Sequence, residues 1–117
     1  MRLIPIRYNR PNMDVLVRIK RLVIRGAVRF TEKARDEMDR DNLTVEEVLE
    51  AVVNAQAISK TLRSRSPSRR HPGERLYVIK SFSYVGTLIY TKGTIVRQDG
   101  QETFYIFISS KVATIGD

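Results

Sequence analysis

Cysteine is absent from the 117 residues and histidine occurs once. Without thiols there is neither a disulfide framework nor a thiolate metal site. No apolar run approaches the ~18 residues that a membrane-spanning helix needs, and the opening stretch "MRLIPIRYNRP" lacks the apolar centre of a signal peptide. A soluble, cytoplasmic protein that does not engage a membrane is therefore expected. Acid is missing locally: the stretch "SKTLRSRSPSRRHP", Ser59 to Pro72, contains no Asp or Glu, while 5 of its 14 residues are Lys or Arg and the lone histidine, His71, lies among them.

What is present fits one folded domain spanning residues 1–117. Hydrophobic residues make up 42% and charged residues 29%, ordinary globular usage and enough for a single core. The formal net charge is +8, a surplus that favours an anionic partner. It is also segregated, since residues 1–29 carry +7, residues 30–54 carry −5, residues 55–80 carry +6 and the remainder is neutral. One basic, flexible loop rich in Ser, Arg and Pro is expected at about residues 64–73.

Hydrophobic periodicity in the first half is helical. From Asn12, a residue type suited to an N-cap, Val15, Leu16, Ile19, Leu22 and Val23 recur at helical spacing until Gly26. A short connector, "AVRF", leads to Thr31, which can cap a second helix reaching about Arg40. "TVEE" offers a capping box, Thr44 with Glu47, ahead of a third helix lined by Val45, Val48, Leu49, Val52 and Val53. The cations Arg18, Lys20 and Arg21 are expected on a solvated helix face. The acids of Glu32–Glu50 read as helix surface rather than as metal ligands.

After Ala55 the period changes to two and β-branched and aromatic residues take over. Candidate strands are "AISKTLR", "RLYVIKSFSY", "TLIYTKGTIVR" and "ETFYIFISSKV", the last three joined by the short connections "VG" and "QDG" as an antiparallel meander. Helices followed by strands predict an α+β domain, with N-terminal helices packed on one face of a mainly antiparallel, twisted sheet and the other face partly open. Along "TLIYTKGTIV", Leu88, Tyr90, Lys92, Thr94 and Val96 point one way and Ile89, Thr91 and Ile95 the other, unless Gly93 marks a bulge. In the last strand Tyr105, Phe107, Ser109 and Lys111 alternate with Phe104, Ile106, Ile108 and Ser110. Lys60 and Arg63 occupy the strand that enters the basic loop. A sheet face bearing Lys, Tyr and Arg beside such a loop suits a bent polyanion with exposed bases.

The order of the pieces "VRIKRLVIRGAVRFT", an acidic helical segment, "ISKT", "GTLIYTKGTI" and "FISSK" resembles the MqsR family, the motility quorum-sensing regulator toxins of bacterial toxin–antitoxin systems. More distantly it resembles the wider RelE-like group, and the resemblance runs from about Val15 to Lys111. It implies a RelE-like fold, metal-independent cleavage of single-stranded mRNA without a cofactor, and a cognate antitoxin as partner. Lys60 matches the family's lysine on the first long sheet strand, Tyr90 in "IYTK" its central-strand tyrosine, and Lys111 in "SSK" the lysine near its C-terminus. The family's second-strand glutamine has no counterpart, "RLYVIKS" offering Arg75 or Tyr77 in its place.

The residue types suit the reaction. RNA is cut when its own 2′-hydroxyl attacks the adjacent phosphorus, which needs a base, positive charge on the phosphoryl oxygens and an acid for the departing 5′-oxygen. Lys60 or Lys111 is the candidate base and charge stabiliser, and Tyr90 the residue for orientation and proton donation. Arg63, Arg65, Arg69, Arg70 and Lys92 are candidates for holding the RNA backbone. His71 has a suitable intrinsic pKa for acid–base work, against which stands the reading of a solvated loop histidine. Strand tyrosines such as Tyr90 and Tyr105 are also ordinary packing residues. Two other functions stay open: a RelE-like nuclease that acts only on the ribosome, and a non-catalytic RNA- or DNA-binding module.

Overall fold

Two threonines fix the helical part of the chain. Thr31 accepts a hydrogen bond from the Ala34 N–H and opens one helix, Glu32–Asp41; Thr44 and Glu47 form a reciprocal capping box that opens another, Val45–Asn54. These are α2 and α3; α1, Arg10–Ile24, precedes them. The computed structural model describes residues 10–63 and 74–117. The expected basic loop, with Arg65, Arg69, Arg70 and His71, lies outside the described residues. α1 already includes Asn12, so the residue read as its cap is inside the helix.

Five strands complete the chain: β1 Val28–Phe30, β2 Lys60–Arg63, β3 Arg75–Phe82, β4 Leu88–Gln98 and β5 Gln101–Val112. They form one sheet in the order β1-β5-β4-β3-β2, antiparallel except where β1 runs parallel to β5. The class is α+β with a mixed sheet. β1 corrects the reading of "AVRF" as a connector. The segment gains backbone partners, with the Tyr105 N–H donating to the Ala27 carbonyl, and it stacks the half-buried Phe30 on Phe107, ring centroids 4.7 Å apart.

The core lies between the helices and one face of the sheet. Leu16, Ile19, Leu22 and Val23 of α1 and Val48, Ala51 and Val52 of α3 meet Tyr77, Ile79, Ile89, Ile95, Tyr105 and Phe107. Each large apolar side chain buried there contributes about 1.5–3 kcal/mol. Two of the α1 cations serve this packing instead of facing only solvent. Arg18 Nε meets Glu102 at 2.8 Å, and Lys20 donates to the Ala55 carbonyl at the end of α3.

β5 departs from strict alternation. Two register shifts, between Lys92 and Gly93 and between Val96 and Arg97, leave Ile108 and Thr103 as extra residues of β5. The bulge at Ile108 flips the strand. Tyr105 and Phe107 point into the core, whereas Ser109 and Lys111, beyond the bulge, pair with Lys92 and Tyr90 on the opposite face. The expectation that all four share a face is thereby corrected.

α2 runs along the part of β5 that β1 does not reach. Thr31 Oγ1 donates to the Ile108 carbonyl, Glu37 Oε1 accepts the Ser110 N–H, and Asp41 Oδ2 accepts the Val112 N–H. Its side chains thus satisfy edge groups that another strand would otherwise bond.

Candidate functional site

The face of the sheet turned away from α1 and α3 carries two cross-strand rows of side chains. In one, Lys60 of β2, Val78 of β3, Lys92 of β4 and Ser109 of β5 are register neighbours. In the next, Lys80 of β3, Tyr90 of β4 and Lys111 of β5 stand side by side. Adjacent strands are ~4.8 Å apart, so the two rows place four lysines and one tyrosine on the same face. Val78 is fully buried yet is not part of the helix-packed core. On the open side Lys60 and Lys92 are its cross-strand neighbours and can lay their aliphatic stems over it.

This arrangement brings together Lys60, Tyr90, Lys92 and Lys111 of the sequence-predicted site. Arg63 is separated from them, because three residues along a strand from Lys60 the alternation directs it to the other face, opposite Arg75 in register. Neither residue considered for the missing glutamine lies in the two rows. Tyr77 is buried in the core and Arg75 pairs with Arg63, whereas Val78 and Lys80 of the same strand occupy the open face.

Burial and neighbouring charges set the protonation of the face. Burial pushes the Tyr90 hydroxyl above its ordinary value; Lys111 opposes the shift, while Asp117 and Glu37 reinforce it. Tyr90 therefore keeps its proton at neutral pH. Lys111 Nζ stands 5.1 Å from the centroid of the Tyr90 ring, within cation–π range. Lys92 is displaced downward, first by burial and then by the like charge of Lys33, with Lys111 and Lys60 adding to it and Glu37 pulling against it. The sequence marked Lys92 as a backbone binder; burial and its charged neighbours also make it give up its proton more readily than an ordinary lysine.

Glu37 was not legible as a site residue. It is a buried carboxylate on α2, and its Oε1 accepts from Ser109 Oγ at 2.7 Å and from the Ser110 N–H at 3.0 Å. Lys33 lies 3.9 Å from its other oxygen. Glu37 thus anchors the β5 end of the first row and places one negative charge beneath the lysines. Asp117, in the segment after β5, places a second beside Lys111.

The face continues past Lys92 into an apolar, partly exposed strip. Phe104, Ile106 and Val96 are half-buried there, and the Arg29 guanidinium lies 4.8 Å from the Phe104 ring centroid. A planar cation over an aromatic ring next to a lysine cluster is the combination on which bases stack and phosphates bind.

Among the described residues no group of three or more His, Cys, Asp or Glu side chains is placed to hold a metal ion. No described helix is long and apolar enough to cross a membrane. Comparison with protein-family models, with curated proteins and with solved structures found no match to this chain.

Proposed function

We propose that the chain is a RelE-like, MqsR-like toxin of a bacterial toxin–antitoxin system, an endoribonuclease that cuts single-stranded mRNA by attack of a ribose 2′-hydroxyl on the adjacent phosphate. The observation that carries the reading is the pair of rows Lys60–Val78–Lys92 and Lys80–Tyr90–Lys111 on one open sheet face. Lysine supplies the positive charge that a phosphoryl transition state requires. The downward-shifted Lys92 is the lysine best suited to accept the 2′-hydroxyl proton, with Lys60 and Lys111 holding the phosphoryl oxygens. Tyr90, held protonated, orients the phosphate and gives its proton to the departing 5′-oxygen. The strip around Phe104 and Arg29 receives a base. A cognate antitoxin is the partner that silences the activity in the cell.

The test is incubation of the purified protein with a defined single-stranded RNA in EDTA and without ribosomes, comparing the wild type with Tyr90→Phe and Lys111→Ala. Cleavage by the wild type that weakens in both variants supports the reading. Binding without cleavage transfers the question to a ribosome-containing assay, and a second blank there leaves a nucleic-acid-binding module.

A further inference from the structure

Lys80 and Lys111 flank Tyr90 in the register, and both reach the same acidic residue. Lys111 Nζ lies 3.4 Å from Asp117 Oδ1, and Lys80 Nζ donates to the Asp117 main-chain oxygen. Asp117 is brought there by a built turn. The Ala113 N–H donates to the Leu88 carbonyl and ties the segment to the start of β4. The Thr114 N–H and hydroxyl both donate to Asp117 Oδ2, and the Asp117 N–H returns to the Thr114 carbonyl. These bonds, with Lys111 adding to them, hold the carboxyl below its ordinary range, so it is an anion at neutral pH.

Asp117 offers its carboxylate to Lys111 and its main-chain oxygen to Lys80 beside an aromatic ring, and so presents what a backbone phosphate presents, acceptor oxygens within reach of both lysines. We propose that Lys80 and Lys111 form a phosphate subsite for a single-stranded RNA backbone next to Tyr90, and that Asp117 is the resident anion which RNA displaces from it. The inference rests on the reading of this face as RNA-binding, and it adds Lys80, a residue outside the proton-transfer set, to that face. The resident contact is weak enough to yield, because ion pairs near solvent contribute little. It is also specific enough to compete, since the lysines that hold Asp117 cannot hold it and a phosphate in the same geometry.

The test is an anisotropy titration of the full chain with a labelled single-stranded RNA whose 2′-hydroxyls are methylated to prevent cleavage, at several salt concentrations. Asp117→Asn is expected to tighten binding about two- to fivefold, the scale of an exposed ion pair. Lys80→Ala is expected to weaken binding and to reduce the slope of log Kd against log salt by about 0.7, the loss of one phosphate contact on a single strand. Lys80→Gln, which retains most of the stem, should do the same, and circular dichroism checks that each variant is folded. Unchanged affinity in Asp117→Asn, or an unchanged salt slope in both Lys80 variants while Lys92→Ala weakens binding, overturns the subsite and leaves the RNA-binding reading standing. No binding by the wild type overturns both together.

Discussion

Lys111 and Tyr90 are cross-strand neighbours whose side chains converge, the ammonium lying 5.1 Å from the ring centroid. Tyr90→Phe keeps the ring and its cation while removing only the hydroxyl. Loss of a positioned proton donor lowers the rate by about 10²-fold or more. Single-turnover cleavage by Tyr90→Phe should fall on that scale while the melting temperature stays within a few degrees of wild type. Undiminished cleavage would remove Tyr90 from the chemistry.

Lys92 gives the pH dependence its sign. As a base it must be neutral, and burial with Lys33, Lys111 and Lys60 moves its pKa below the ordinary 10.5. Cleavage should rise with pH up to that displaced value and then level off. Because the folded chain binds fewer protons than the unfolded one between the displaced value and 10.5, stability also rises with pH through that window. NMR titration of carbon-labelled lysine reads the same group without catalysis. Lys60→Met should move the Lys92 titration upward by removing a like charge, and Glu37→Gln should move it further down by removing an opposite one. A Lys92 signal indifferent to both changes would contradict this electrostatic account.

Glu37 should matter to stability before it matters to rate. Its buried Oε1 accepts two hydrogen bonds from β5, and bonds to a charged acceptor are worth about 1.5–3 kcal/mol each. Glu37→Ala leaves the Ser110 N–H without its acceptor and should lower unfolding free energy by about 2–4 kcal/mol in urea, given that such terms overlap. Glu37→Gln, which can still accept, should lose less than half of that.

Gly93 and Tyr105 make the opposite pair of stability tests. A Cβ on Gly93 would lie 2.5 Å from two carbons of the Tyr105 ring and 2.6 Å from the Ile106 carbonyl oxygen. Gly93→Ala should therefore destabilise by about 1–3 kcal/mol or more, because ring and backbone are both packed in place. The Tyr105 hydroxyl is buried with no hydrogen-bond partner among the described residues, and burial pushes its pKa far up. Tyr105→Phe should be neutral or stabilising by about 1 kcal/mol. Urea midpoints of the two variants decide both.

The helices were legible because their signals are local. Thr31, Thr44 and Glu47 announce their helices within four residues, and the 3.6 period identifies the buried side chains of α1 and α3. The joint placement of Tyr90 and Lys92 was legible because alternation within one strand suffices. The rest depended on register, which no single strand encodes. Lys80 and Ser109 join the face through pairing across β3, β4 and β5. Gly93 marked the place of the bulge, but the extra residue is Ile108 of the facing strand, so strict alternation along β5 placed Tyr105 and Phe107 with Lys111 when they face opposite sides. β1 is three residues long and too short for any period to declare itself.

The side chains that α2 lays along β5 have a consequence beyond the monomer. β1 occupies the β5 edge at Tyr105–Phe107, and Thr31, Glu37 and Asp41 bond the edge groups from Ile108 to Val112. No unbroken ladder of main-chain donors and acceptors is presented over that stretch. Added strands cannot nucleate there, and the chain is protected from edge-to-edge polymerisation at the side of its longest strand.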